Sequence, residues 1–186
     1  QLFVFLVALG FHKSVFLPVI GYLLTLKFTS PRGFLIFWFA CIPFSLLIGG
    51  SFQNLISSFF EDDKLNEYFY STKYSSSFSS TGFRWDFLLY SASGVFTGWY
   101  FIVKRQFKDL YYEKIYSIYL FANALWILVI QANFSNRFAY LSWFMLGLVI
   151  VYPFLKQLFF KNQSAILGNI LLLYFVFTYL FDFILD

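Results

Sequence analysis

Four ionisable residues in an otherwise apolar chain have the types and spacing to do chemistry. They are Arg84 and Asp86 in "TGFRWDFLLYSASG" (81–94), Arg137 in "NFSNRFAYLSWF" (133–144) and His12 in "FHKS" (11–14). Charged groups at membrane depth usually face a bundle interior or a wet cavity rather than lipid. For Arg137 the spacing supports a lining role. Asn133, Arg137 and Tyr140 stand at i, i+4 and i+7 with Asn136 beside them, a polar face on an otherwise apolar helix. An arginine that merely snorkels to lipid headgroups has no use for such a stripe. Asp86, Tyr90, Ser93 and Thr97 fall at i, i+4, i+7 and i+11, a second polar face. Arg84, two residues before Asp86, does not share a helix face with it. His12 is the only histidine; the bland alternative for it is a hydrogen-bonded structural residue.

Two arginine forks suit a diphosphate, which they can hold bidentately. An aspartate or histidine beside them suits a general base for an attacking hydroxyl. Neither a metal nor another cofactor is called for. The "EDD" run at 61–63 reads as a solvated acidic stretch, and the chain has no phosphate-binding loop, nucleophile elbow or zinc-protease motif. Cys41 is the only cysteine and lies within an apolar run, so it is expected to be a small buried hydrophobe. No basic patch with a nucleic-acid motif occurs.

The elements that must position these residues are membrane spans. Of the 186 residues 60% are hydrophobic and 12% charged, about half the charge of a soluble domain. A helix crosses a bilayer with about 20 apolar residues. Spans are expected at roughly 14–29, 34–57, 85–103, 115–132, 137–155 and 165–183, with a partial one at 1–11. The first full span is short and carries Pro18 near its start, so it is expected to be kinked or discontinuous. The opening "QLFVFLVALG" reads as the tail of a span that begins upstream, making the chain an N-terminally truncated fragment.

"SPRG" at 30–33 is a tight turn with Ser30 as N-cap and Pro31 at the first helical position. Gly82 suits a sharp turn into the third span, and Gly94 and Gly98 form a GxxxG element for close helix packing. Alternate loops hold Lys27 and Arg32; Lys104, Arg105, Lys108 and Lys114; and Lys156 and Lys161, eight of the 13 basic residues. The positive-inside rule puts those loops in the cytoplasm. His12, Arg84, Asp86 and Arg137 then share the outer face. The long loop 58–84, on that face, is acidic first and Ser-rich last, with too few apolar residues for a core. The whole of 1–186 is therefore expected to be a single transmembrane domain, all-α, a polytopic helix bundle.

"TGFRWDFLLYS", "YLFANALWILV" and "NRFAYLSWFM…YPFL", together with "FHKS", resemble the EpsG family of bacterial exopolysaccharide membrane proteins, relatives of the Wzy-type polysaccharide polymerases. The resemblance spans about residues 10–155. It implies a multi-pass glycosyltransferase of GT-C-like type in the bacterial inner membrane, acting at its outer face on undecaprenyl-diphosphate-linked repeat units. It maps the family's elements onto His12, Arg84, Asp86, Asn136, Arg137 and Tyr140. On this reading Asp86 or His12 is the base, Arg84 and Arg137 bind the diphosphate, and Asn136 and Tyr140 orient substrate. The partners are the lipid-linked glycan, membrane lipid and other polysaccharide-assembly proteins. The rival functions are a transporter or flippase of lipid-linked sugars, a membrane acyltransferase using His12, and a purely structural subunit.

Overall fold

A computed structural model of the chain describes residues 5, 7, 10, 15–60, 82–132 and 135–183. Among the described residues there is no strand. The helices are α1 (Phe16–Lys27), α2 (Pro31–Phe60), α3 (Trp85–Trp99), α4 (Leu110–Leu128), α5 (Ser135–Lys156) and α6 (Gln163–Phe183). α3 continues as a π-helical turn over Tyr100–Lys104. These match the expected spans closely. α2, α5 and α6 each contain a window long and apolar enough to cross a membrane. The 12 residues of α1 reach about 18 Å at 1.5 Å per residue, well short of a hydrocarbon core of about 30 Å.

Local sequence explains where the helices start. Pro31 opens α2, where its missing N–H would have had no partner in any case. Gly82 turns into α3 with φ 96°, a left-handed conformation that favours glycine. Asp109 caps α4 from an extended backbone, accepting from the Tyr112 N–H at 2.8 Å, and the Tyr152 hydroxyl of α5 also donates to it at 3.2 Å.

α4 is the axis of the bundle and packs against α1, α2, α3 and α5. Lipid tails are as apolar as leucine, so burying leucine does little to hold membrane helices together. Close backbone approach and interhelical hydrogen bonds do more. The sequence of α4 supplies such bonds from Tyr112, Tyr116, Tyr119 and Asn123, at i, i+4, i+7 and i+11, all buried. Tyr116 donates to the Val95 carbonyl at 2.8 Å and Tyr119 to that of Ser91 at 2.6 Å. Gly94 and Gly98 are what let α3 come that close. A Cβ on Gly98 would stand 2.1 Å from the Tyr116 ring, and one on Gly94 would stand 2.5 Å from Leu146 and 2.8 Å from the Tyr119 hydroxyl. The GxxxG element therefore packs as expected.

Tyr112 solves a different problem. Pro153 inside α5 has no N–H for the carbonyl four residues back, which is that of Val149. The Tyr112 hydroxyl donates to that oxygen at 2.9 Å. Tyr112→Phe is expected to lower stability by about 1 kcal/mol, read as a lower unfolding temperature in detergent with the helical content unchanged.

These contacts set the directions. Tyr116–Val95 with Asn123–Ser91 makes α3 antiparallel to α4, and Tyr112–Val149 with Asn123–Ser142 does the same for α5. Trp38–Asn123 with Ser45–Gln131 makes α2 parallel to α4. The starts of α3 and α5 therefore share one end of the bundle. The other end collects the eight basic residues of the alternate loops. There Arg105 donates to the Phe159 carbonyl at 2.5 Å and stacks on Phe160, while the Gln163 amide ties Phe154, Gln157 and Phe159. Cys41 is buried, as expected.

Candidate functional site

Arg84 occupies the N-cap position of α3, with φ −83° and ψ 84°. Because it stands outside the helix, the spacing rule that separates i and i+2 on a helix face does not bind it. Its side chain folds over the first turn and grips Asp86 with both prongs. Nε donates to Oδ1 at 3.0 Å and Nη2 to Oδ2 at 2.6 Å. Among the described residues this is the one ion pair, and both side chains are partly buried. The guanidinium carbon also lies 3.7 Å from the centroid of the Phe87 ring. Two residues that the spacing rule kept apart thus form one rigid unit.

The pairing has chemical consequences. A guanidinium carries five N–H donors, and the two bonds to Asp86 leave three for another anion. The Asp86 carboxylate, bonded through both oxygens, is a weak base while paired, because protonation would break charge-assisted bonds. Whatever draws Arg84 away would make Asp86 more basic.

An aromatic wall joins this unit to α5. Trp143 is the centre of it, 5.2 Å from the Phe87 ring, 5.0 Å from Tyr90 and 5.7 Å from Tyr140. Tyr140 is exposed. Asn136 and Arg137 lie in the first turn of α5, within four residues of Tyr140. Arg84, Asp86, Asn136, Arg137 and Tyr140 are therefore at the same end of the bundle, on two adjacent parallel helices. His12 and Asn133 lie outside the described residues, as does the 61–63 acidic run.

The second expected polar face is used differently. The Tyr90 ring packs against Tyr174 and Phe177 of α6. Ser93 donates to the Tyr90 carbonyl and accepts from the Tyr174 hydroxyl. Thr97 donates to the Ser93 carbonyl at 2.7 Å. Tyr90 and Ser93 thus form a seam between α3 and α6, Tyr90 touching Trp143 of the aromatic wall as well, and Thr97 bonds back within α3.

One buried cluster was not anticipated. Asn123 accepts from Trp38 Nε1 at 2.7 Å and donates to the hydroxyls of Ser91 at 3.1 Å and Ser142 at 2.9 Å. Trp143 Nε1 also donates to Ser91, at 2.7 Å. Four helices meet at this amide, and the bonds fix α3 against α5 in the register that puts Arg84 and Arg137 at one level. The signal available in the sequence was the i, i+4, i+7, i+11 series that ends at Asn123. The segments quoted for the family resemblance contain Ser91, Asn123, Ser142 and Trp143, so the hub is built from the same stretches that carry the resemblance.

Comparison with known proteins bears on the whole chain. The model of the EpsG family matches residues 1–186. No curated protein and no solved structure matches.

Proposed function

The chain belongs to the EpsG family and is an exopolysaccharide-related membrane protein, and from that premise we propose that it polymerises lipid-linked oligosaccharides. The substrates are repeat units on undecaprenyl diphosphate, at the outer face of the bacterial cytoplasmic membrane. A sugar hydroxyl of one lipid-linked chain attacks the anomeric carbon of another. A new glycosidic C–O bond forms, and the bond to the diphosphate oxygen breaks. The hydroxyl proton passes to a base, and undecaprenyl diphosphate leaves with the electron pair. Arg84 and Arg137 bind the diphosphate and stabilise the charge growing on it. Asn136 and Tyr140 orient the substrate. Asp86 or His12 takes the proton.

The observation that carries this reading is the bidentate Arg84–Asp86 pair beside the start of α5. It gives Asp86 a way to act only when needed. A diphosphate that engages Arg84 competes for the guanidinium, loosens its hold on Asp86 and so raises the basicity of the carboxylate. Binding the leaving group thereby arms the base.

Asp86→Asn tests this. It is expected to reduce chain extension by about 10²- to 10⁴-fold while leaving binding of the lipid-linked unit intact, because an unpaired Arg84 keeps all its donors. A variant that loses binding and turnover in parallel would instead make Asp86 a positioning residue for Arg84, and His12 would be left as the base.

A further inference from the structure

At the end of the bundle opposite Arg84, a cavity of about 350 Å³ lies between the α1–α2 turn and the segment linking α3 to α4. Its wall carries both signs of charge. Arg32 comes from the first turn of α2 and Glu113 from the first turn of α4. Neither is in an ion pair with another described residue, Arg84–Asp86 being the one pair among these. The hydroxyl-bearing Thr29 and Ser30 border the cavity beside Arg32, and Leu35 and Trp99 give it an apolar side. Gln106 shapes the rim from a left-handed backbone, φ 54°, held by its side-chain amide donating to the Val103 carbonyl at 2.6 Å. Few residues other than glycine take that conformation, so the loop is built to a definite shape.

An uncommitted cation and an uncommitted carboxylate share this cavity with an apolar wall. A free anion would be repelled by Glu113, and a neutral sugar would leave both charges unmatched. A ligand that carries its own phosphate and ammonium on a short linker, continued by hydrocarbon, satisfies all three features. We propose that this cavity binds the headgroup of a zwitterionic phospholipid with a primary ammonium. The phosphate lies on Arg32 and the amides of the first turn of α2, where the helix dipole favours an anion. The ammonium donates to Glu113. A quaternary ammonium has no N–H to donate, so the site discriminates phosphatidylethanolamine from phosphatidylcholine. This inference does not depend on the polymerisation reading.

The test uses the purified chain in detergent with equal amounts of phosphatidylethanolamine, phosphatidylcholine and phosphatidylglycerol of identical acyl chains. Retained lipid is counted by native mass spectrometry. The wild type is expected to retain phosphatidylethanolamine about tenfold over each of the others, the loss of one charge-assisted hydrogen bond. Glu113→Gln is expected to bring it down to the phosphatidylcholine level, Glu113→Asp to keep the preference, and Arg32→Gln to lower retention of all three. Glu113→Asp, which keeps the carboxylate, together with the unfolding temperature of each variant, separates a lost contact from a lost fold. Equal retention of the three lipids by the wild type, a preference for phosphatidylglycerol, or an unchanged preference in Glu113→Gln would overturn the proposal.

Discussion

Replacing Arg84 with alanine is expected to stop polymer formation while single repeat units accumulate on the lipid carrier. The loss should be about 10²- to 10³-fold, the usual effect of removing one preorganised donor from a developing negative charge. The fold should survive, because Arg84 stands outside α3 and does not share in the hub at Asn123, and its side chain bonds only to Asp86 and the Phe87 face, while the carbonyl that accepts from the Leu88 N–H is kept in alanine. Arg84→Lys is the sharper variant. Lysine keeps the charge but not the fork, so it cannot hold Asp86 through both oxygens and present further donors at once. It should bind the lipid-linked unit yet extend it poorly. Normal polymer length in Arg84→Ala, measured on extracted polysaccharide, would remove Arg84 from the mechanism. Arg137→Ala should behave alike, since both arginines are assigned to the same diphosphate.

Gly98→Ala should have the largest effect on the fold. The added Cβ would lie 2.1, 2.2 and 2.7 Å from three atoms of the Tyr116 ring. Tyr116 is 2% exposed. Either α3 moves away from α4 or the ring shifts and loses its bond to the Val95 carbonyl. Overpacking of this kind costs about 1–3 kcal/mol, and a lost hydrogen bond about 1 kcal/mol more. The measurement is the unfolding temperature in detergent, supported by the yield of monodisperse protein. Pairing Gly98→Ala with Tyr116→Leu should recover part of the loss, because the smaller side chain makes room, and such non-additivity is the mark of direct contact. A Gly98→Ala protein as stable as the wild type would mean that α3 and α4 are not packed this closely.

Much of the architecture could be read from the chain because membrane spans announce themselves by length and apolarity. The start of α2, the turn at Gly82 and the GxxxG contact follow from rules that act within one helix or between two. The Arg84–Asp86 pair was missed for a definite reason. The spacing rule assumes that both residues are helical, and Arg84 is one residue too early. The stripe from Tyr90 to Thr97 was correctly placed on one face, but a face does not say what covers it. Tyr174 of α6, more than 70 residues away in sequence, supplies the answer. The hub at Asn123 was invisible for a related reason. Single polar residues inside apolar runs look alike until the packing of four helices shows which of them meet. The tyrosine series on α4 has the same i, i+4, i+7 spacing as Asn133, Arg137 and Tyr140, carried by buried hydroxyls instead of a charge.

The central claim, that this chain joins lipid-linked repeat units into polymer, is tested most directly by reconstitution. The purified protein is placed in liposomes with undecaprenyl-diphosphate-linked repeat units as the only sugar source, and glycan length is followed with time. The account predicts a ladder of products that grows by whole repeat units, released undecaprenyl diphosphate in equal number to the bonds formed, and no ladder with Arg84→Ala. Single units that cross the bilayer without lengthening would contradict it and make the protein a carrier of lipid-linked sugars.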